Sequence, residues 1–353
     1  MTAFYQSNAA LNCENMFAMG NGANMKRRKF IALLSGSAVT WPLLAHAQQR
    51  ERTRRIGVMF SSVEGDAQSA RDLGAFKLGL QALGWTEGAN LQIEYRWGGG
   101  DPGRARSSAA ELVSLSPAVI VGSGTVAMTA LHNATDKIPI VFLNVTDPVA
   151  GGFVASLSRP SGNITGFTPF EYDIGGKWLE LLKEIAPHLT RVALLGDPNN
   201  HNFKGFQRSF EAAAKTFSVE PTSVQVRSLD DIESGISALA ETPNSGLIVT
   251  AATFSIVYRK QIVQLAIKHK LPAIFWNRSQ VSEGGLLSLG PNSPDMHRRS
   301  ASYVDRILKG EKPGDLPVQE PTKVELIINA KTAKEIGLAV PPSLLARADE
   351  VIE

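Results

Sequence analysis

Short runs of consecutive Val, Ile and Leu alternate with stretches of helical spacing from residue 54 onward. The run RRIGVMF (54–60) leads through a polar loop to ARDLGAFKLGLQALGW, which has helical spacing, and then to NLQIEYRW, which alternates as a strand. Continuous apolar strands separated by helices are typical of parallel sheets covered on both faces. The pattern therefore predicts an α/β fold built on doubly wound parallel sheets.

The same order of elements occurs again in the second half of the chain. TRVALLGD (190–197) leads to the helical KGFQRSFEAAAKTF and then to TSVQVRS. The next units match as well, because PAVIVGSGTVAMTALHNATDKIPIVFLN and SGLIVTAATFSIVYRKQIVQLAIKHKLPAIFWN both read as strand, turn, helix and strand. We predict a first lobe of residues 54–166 and 291–318 and a second lobe of residues 168–290 and 319–353. Three crossings between these lobes would form a hinge of short segments.

Polar turns follow the predicted buried strands in both lobes. In doubly wound sheets, ligands bind beyond the carboxyl ends of the strands, where such turns meet helix N-termini. If the two lobes face each other through these ends, the space between them is a cleft. Four turns would line it, namely FSSVEGD and GSGTVA from the first lobe and GDPNN and AATFS from the second.

The turn formed by Ser123, Gly124 and Thr125 is the leading candidate for an anion site. Small residues allow close approach, and backbone N–H groups at a helix N-terminus together with a Thr hydroxyl favour a carboxylate. The alternative is N-capping of the helix by Ser123 or Thr125. A phosphate loop is not expected, because the Gly-x-x-x-x-Gly-Lys-Ser/Thr pattern is absent.

Two aspartates are candidate partners for a ligand amine. Asp66 follows the first strand together with Ser61 and Ser62, although Asp66 or Ser69 would equally serve as a helix cap. Asp147 lies in VTDPV after a buried strand, where Asp-Pro also favours a turn.

Further candidates come from the second lobe and the first crossing. Asn199 and Asn200 lie at its rim, where an Asx turn is the alternative, and Phe254 and Trp276 would wall the pocket or pack in the core. The complete predicted ligand-binding set is Ser61, Ser62, Asp66, Ser123, Gly124, Thr125, Asp147, Thr168, Asn199, Asn200, Thr253, Phe254 and Trp276. Weaker candidates are Phe170, Tyr172 and Glu283.

The N-terminal region has the pattern of an export signal. MKRRKF supplies a basic segment, IALLSGSAV an apolar core too short to span a membrane, and Ala45–Ala47 an Ala-x-Ala site. We predict a signal peptide over 25–47, cleaved after Ala47, and a disordered leader or a misassigned start over 1–24. Arg27 and Arg28 resemble a twin-arginine signal, with a Sec signal as the alternative. A buried N-terminal helix is the other interpretation.

Charge and cysteine content narrow the function classes. The net charge of +3 comes from the N-terminus, because residues 48–353 carry 32 basic and 32 acidic residues, which argues against a nucleic-acid surface. Cys13, the single cysteine, precedes the predicted signal, so the mature chain has no disulfide, thiolate metal site or lipid anchor. No cofactor or metal is expected, and the periplasm is the predicted location.

Enzyme motifs are absent from the sequence. There is no His-Glu-x-x-His, no cysteine nucleophile after the signal and no Gly-x-Ser-x-Gly elbow. A Ser-His-Asp group could still assemble in space, but no spacing indicates one. We predict a protein without catalytic activity.

These features together resemble one family. The segments LNVTDPVAGGFVASLSRPSGNITGFT and PAIFW and the ending LPVQEPTKVELIINAKTAKEIGLAVPPSLLARADEVIE are similar to ABC-transporter substrate-binding proteins of the type I periplasmic binding fold, related to tryptophan-binding members. The resemblance extends from the signal to the C-terminus. It implies a monomeric receptor that closes on a small ligand, such as an aromatic amino acid or another carboxylate, and docks on a membrane permease.

Three other functions share this fold class. A ligand-sensing domain of a transcription repressor would need a helix-turn-helix before the first strand, where the sequence has a signal instead. A periplasmic sensor that presents its ligand to a receptor is not separable from an uptake protein by sequence. An enzyme on this scaffold is the third.

Overall fold

The computed structural model describes residues 53–321 and 323–353. The predicted leader, the predicted signal peptide and Cys13 lie outside the described residues. Within the described part, strands and helices alternate as the apolar pattern predicts, and the α/β prediction is confirmed.

The first sheet consists of five parallel strands, and its central strands are buried along most of their length. Ile56 pairs with Val119, and Val121 pairs with Val141, so β-branched residues meet across the central ladders. In spatial order the strands are β2 (Leu91–Trp97), β1 (Arg54–Phe60), β3 (Val119–Ser123), β4 (Ile140–Leu143) and β5 (Ile164–Phe167).

Helices cover both faces of this sheet. One face carries Phe76, Leu80 and Val304 in a single apolar cluster, and the other carries Leu112 and Leu131. The helices on the first face are α1 (Ala67–Ala82) and α10 (Ser293–Leu308), and those on the second are α2 (Pro102–Ser114) and α3 (Thr125–Ala134). Because α10 lies far along the chain, the first lobe is completed by a segment that follows most of the second.

The second sheet has seven strands, of which only β10 and β11 pair antiparallel. In spatial order they are β12 (Glu350–Ile352), β11 (Val324–Asn329), β10 (Leu287–Pro291), β9 (Ala273–Phe275), β8 (Ser245–Val249), β6 (Arg191–Gly196) and β7 (Glu220–Gln225). The sequence pattern did not predict β12, because a strand of three half-buried residues has no clear periodicity.

Two apolar clusters flank the second sheet, as in the first lobe. Trp178 and Phe206 lie at the centre of one cluster, and Ile236 and Val263 belong to the other. The helices of this lobe are α4 (Ile174–Ile185), α5 (His201–Thr216), α6 (Leu229–Ala240), α7 (Thr253–Val257), α8 (Arg259–Lys268), α9 (Arg278–Ser282), α11 (Ala330–Glu335) and α12 (Pro342–Arg347).

The chain passes between the two sheets three times, after β5, between β10 and α10, and before β11. The first and third passages lie side by side, because the Thr168 N–H donates to the Gln319 carbonyl and the Gln319 N–H donates to the Gly166 carbonyl. No helix in the described ranges combines the length and the apolar character needed to cross a bilayer.

Candidate functional site

Both lobes contribute to a cavity that we call the inner cavity. Its first-lobe wall comes from the β1–α1 segment with the start of α1, the β3–α3 turn, the segment after β4 and the start of α10. Its second-lobe wall comes from the turns after β8 and β9. Its volume is about 70 Å³. This volume is below the range of about 300–1,000 Å³ that is typical of small-molecule sites, so the inner cavity is a narrow pocket.

Eight residues of the predicted set line this cavity. They come from three of the four predicted turns and from the residue that follows β9. They are Ser61, Ser62, Asp66, Ser123, Gly124, Thr125, Thr253 and Trp276.

The two first-lobe turns are joined by Ser61. Its N–H donates to the Ser123 carbonyl at 2.9 Å, and its Oγ accepts from the Ala127 N–H at 2.9 Å. Ser61, which follows β1, therefore caps the N-terminus of α3. The alternative prediction, in which the side chain of Ser123 or Thr125 caps this helix, is wrong. The Ser123 hydroxyl instead lies 3.3 Å from Nε2 of His297.

Gly124 is required by both conformation and space. Its φ of 90° and ψ of 157° belong to a region that is essentially restricted to glycine. A Cβ at this position would lie 2.6 Å from Ser61 Oγ. The glycine thus allows the β1 turn to approach the N-terminus of α3 closely.

We expect Ser61→Ala to destabilise the protein by about 1–2 kcal/mol, because the buried Ala127 N–H loses its acceptor. Urea unfolding measures the effect. Ser107→Ala is the control, since that exposed hydroxyl makes only a 3.4 Å bond on its own helix. A loss of stability as small as that of the control would contradict this role for Ser61.

The Asp66 carboxylate has two kinds of partner. Its Oδ2 accepts from the N–H of Ser69 at 2.8 Å and from its hydroxyl at 2.9 Å, which makes Asp66 the N-cap of α1. Its Oδ1 pairs with the Arg259 guanidinium of the second lobe at 2.5 Å. The aspartate proposed as an amine acceptor is therefore already bonded to a cation of the opposite lobe.

Sequence reasoning missed Arg259. The arginine also donates to the Ile256 carbonyl at 3.1 Å and lies 3.4 Å from Glu283, the weak candidate. Arg259 is the first residue of α8, where the helix dipole disfavours a cation. An arginine at this unfavourable position indicates that an acidic residue elsewhere in the fold pairs with it, and this was the sequence signal from which Arg259 could have been found.

Sequence reasoning also missed Asp72, one helical turn beyond the β1–α1 loop. Asp72 is 4% exposed and lines the inner cavity. Its Oδ1 accepts from the Gln68 amide at 2.7 Å, and its Oδ2 accepts from the Ser293 hydroxyl at 2.9 Å. Burial raises the pKa of Asp72, and nearby His297 together with the two hydrogen bonds opposes the shift.

His297 lies behind this carboxylate. Its Nδ1 is 2.8 Å from the Ser293 carbonyl, which can only accept, so Nδ1 carries a proton. Its Nδ1 is 3.8 Å from the Asp72 carboxylate, beyond hydrogen-bond distance. Phe60 stacks on the imidazole with ring centroids 6.0 Å apart.

Trp276 forms the second-lobe wall of the inner cavity and also packs in the core. Its Nε1 donates to the Ser255 hydroxyl at 2.9 Å, which holds the indole in one orientation. The rings of Phe170 and Trp276 pack edge to face. Trp276 therefore lines the cavity and also belongs to the core, as its two alternative predictions described, whereas Phe170 belongs to the core.

The other second-lobe candidates line a separate space, the outer cavity, which lies between Gly99–Pro102, the start of α5 and Thr253–Tyr258. The volume of the outer cavity is about 600 Å³. The residues of the predicted set found here are Asn199, Asn200 and Phe254, together with Thr125 and Thr253, which line both cavities. Asn200 accepts from the Asn202 N–H at 3.0 Å as the N-cap of α5.

Asp147 and Thr168 line a third space beside the first passage, which we call the hinge cavity. The Asp147 side chain accepts from the Ala150 N–H at 2.8 Å, which agrees with the alternative prediction that Asp147 begins a turn. Burial and Asp147 raise the pKa of Tyr172, and burial together with Glu171 raises the pKa of Glu320. The structure thus does not bring Asp147 and Thr168 into the inner cavity.

No group of three or more His, Cys, Asp or Glu residues in the described part of the chain is arranged to hold a metal ion. The polar groups around the inner cavity are instead hydroxyls, amides and one uncompensated carboxylate. These groups suit hydrogen bonding to a small organic ligand.

The chain is similar to proteins that bind small molecules. It is 28% identical over 265 residues to a tyrosine-binding protein of Clostridioides difficile, covering 73% of this chain and 74% of the relative. A solved conserved domain protein from Vibrio cholerae is 30% identical, with a TM-score of 0.79 over 85% of this chain and 99% of the other. An ABC domain from Streptococcus pneumoniae in complex with L-Trp shares the fold at 24% identity and a TM-score of 0.79, covering 85% of this chain and all of the other.

The model of the family described as ABC transporter substrate binding protein matches residues 55–352. The two-lobed α/β architecture is that of type I periplasmic binding proteins. Members of this family bind small molecules and are not enzymes. The chain belongs to the ABC transporter substrate-binding protein family.

Proposed function

We propose that this protein is the exported receptor of an ABC importer and captures an amino acid between its lobes. The observation that carries the proposal is the inner cavity, because a single ligand there would touch both lobes. Related proteins with tyrosine or L-Trp in their names support an amino acid as the ligand.

The first lobe offers a site for the ligand carboxylate. The β3–α3 turn lines the inner cavity, and the N-terminus of α3 carries partial positive charge there. The Thr125 hydroxyl adds a donor. The ligand carboxylate binds at this turn in our proposal.

The apolar part of the ligand contacts the second-lobe wall. Trp276 and Ile256 line the inner cavity from that lobe, and Phe60 lines it from the first. Aromatic and branched surfaces of this kind favour a ring or another large apolar side chain. An aromatic amino acid therefore fits the wall better than a small polar one.

The lobes close by rotation about the three passages, and the ligand favours the closed state because it contacts both lobes. The divisions 54–166 with 291–318 and 168–290 with 319–353 are our proposed rigid bodies. The signal peptide directs export, and its cleavage after Ala47 releases a monomer in the periplasm. There the closed form docks on the membrane permease.

The test is calorimetry and thermal unfolding of residues 48–353 with L-Tyr, L-Trp and the other common amino acids. A ligand at about 100 times its dissociation constant stabilises the protein by about 2.7 kcal/mol. We expect Thr125→Ala to weaken binding about tenfold, whereas Thr216→Ala, at the exposed end of α5, leaves it unchanged. Equal binding by Thr125→Ala and the wild type would overturn the placement of the carboxylate.

A further inference from the structure

Asp72 is a buried carboxylate that lacks a cationic partner. Among residues 53–321 and 323–353, no lysine or arginine forms an ion pair with it, and the nearest basic group is His297 at 3.8 Å. The Nδ1 proton of His297 is directed to the Ser293 carbonyl, so the imidazole makes no hydrogen bond to the Asp72 carboxylate. A buried charge without a partner is costly.

A second acceptor in the same cavity also lacks a partner. Asn144 Oδ1 is buried and accepts no hydrogen bond within the described residues. The amide nitrogen of Asn144 lies 3.4 Å from Ser293 Oγ, and the same Oγ donates to Asp72. The side chains of Asn144 and Asp72 therefore contact the same hydroxyl at the wall of the inner cavity.

We propose that Asp72 and Asn144 receive a protonated amino group of the ligand. An ammonium group has three donors and a positive charge, which matches one uncompensated carboxylate and one unsatisfied amide oxygen. Asp66 does not compete for this role, because Arg259 already neutralises it. The inference rests on the proposed function and deepens it by assigning the residues that recognise the amine of the ligand.

The position of Asp72 also separates the proposed amine site from the proposed carboxylate site within the first lobe. Asp72 and Ser293 lie on α1 and α10, which cover one face of the first sheet, whereas the β3–α3 turn lies at its carboxyl edge. Charges of opposite sign thus occupy two sides of one cavity. A zwitterion satisfies both.

The experiment compares matched compounds by calorimetry. L-Tyr and L-Trp have the amine, while 3-(4-hydroxyphenyl)propionate and indole-3-propionate have the same ring and carboxylate without it. We expect the deaminated acids to bind at least tenfold more weakly. Equal binding by the two classes would overturn this inference and leave the carboxylate receptor standing. If no amino acid and no carboxylate binds, the proposed function fails and the inference fails with it.

Asp72→Asn tests the residue itself. The asparagine keeps the size, and its Oδ1 can still accept from the Gln68 amide while its Nδ2 donates to the Ser293 hydroxyl. The charge is removed, so amino-acid affinity falls at least tenfold. Without ligand, the melting temperature of this variant is equal to or higher than that of the wild type, because an uncompensated charge is gone. Asp305→Asn is the matched control, a nearly buried helical aspartate of the same lobe that pairs with Lys309 and Trp85 outside the cavity. Wild-type affinity in Asp72→Asn, or a lower melting temperature with its affinity intact, would show a purely structural role.

Discussion

Arg259→Ala will weaken ligand binding about 100-fold, which corresponds to about 3 kcal/mol. The pair with Asp66 joins the two lobes, with the aspartate side chain 1% exposed and the arginine side chain 13% exposed. Removing one partner of a buried pair costs about 3–5 kcal/mol, because the other charge stays buried without compensation. In an open form both groups are hydrated, so the cost falls on the closed state alone.

Calorimetry with the best-binding amino acid measures this loss, and small-angle scattering measures the population of the closed form. Arg278→Ala is the matched control. Arg278 pairs with Glu350 at the same distance of 2.5 Å, but both side chains are exposed and lie within the second lobe. Such surface pairs contribute about 0–1 kcal/mol. An Arg259→Ala protein that binds within twofold of the control would show that the lobes close without this pair.

Gly124→Ala will destabilise the protein by about 2–6 kcal/mol and remove ligand binding. The backbone strain contributes about 1–3 kcal/mol, and overpacking against Ser61 contributes a similar amount. Rotation of the Ser61 hydroxyl does not relieve the contact, because the added Cβ also lies 2.9 Å from Ser61 Cβ. The β1 turn must then move away from α3, which opens the proposed carboxylate site.

Gly84→Ala is the control for Gly124→Ala. Gly84 has the same φ of 90°, but a Cβ there has no heavy atom within 4 Å. Urea unfolding of both variants compares an alanine at a positive φ with the close contact and without it. Equal losses in the two proteins would show that the contact with Ser61 contributes nothing.

The predicted site depended on one rule, that ligands bind beyond strand ends. The rule located Ser61, Ser123 and Thr125 because each lies within two residues of the end of a strand of the first sheet. It also selected Asp147, which follows β4 but turns into the hinge cavity. Strand ends identify the edge of a sheet, but they do not show which way a side chain points.

The same rule could not locate Asp72 or Arg259, because both lie on helices. Asp72 and Ser293 are 221 residues apart, and Asp66 and Arg259 are 193 residues apart. Each interaction depends on how two elements from distant parts of the chain pack. No local spacing encodes it.

The amino-acid sequence alone specified the α/β class and the duplicated order of elements, because apolar periodicity and turn residues act over short distances. The resemblance of particular segments to known proteins indicated the family. The folded chain added the ion pair between the lobes, the cap that Ser61 supplies to α3, and the uncompensated carboxylate of Asp72. These features arise from contacts between segments that are remote in sequence. Burial, charge compensation and hydrogen-bond satisfaction at such contacts exist only once the sheets and helices have packed.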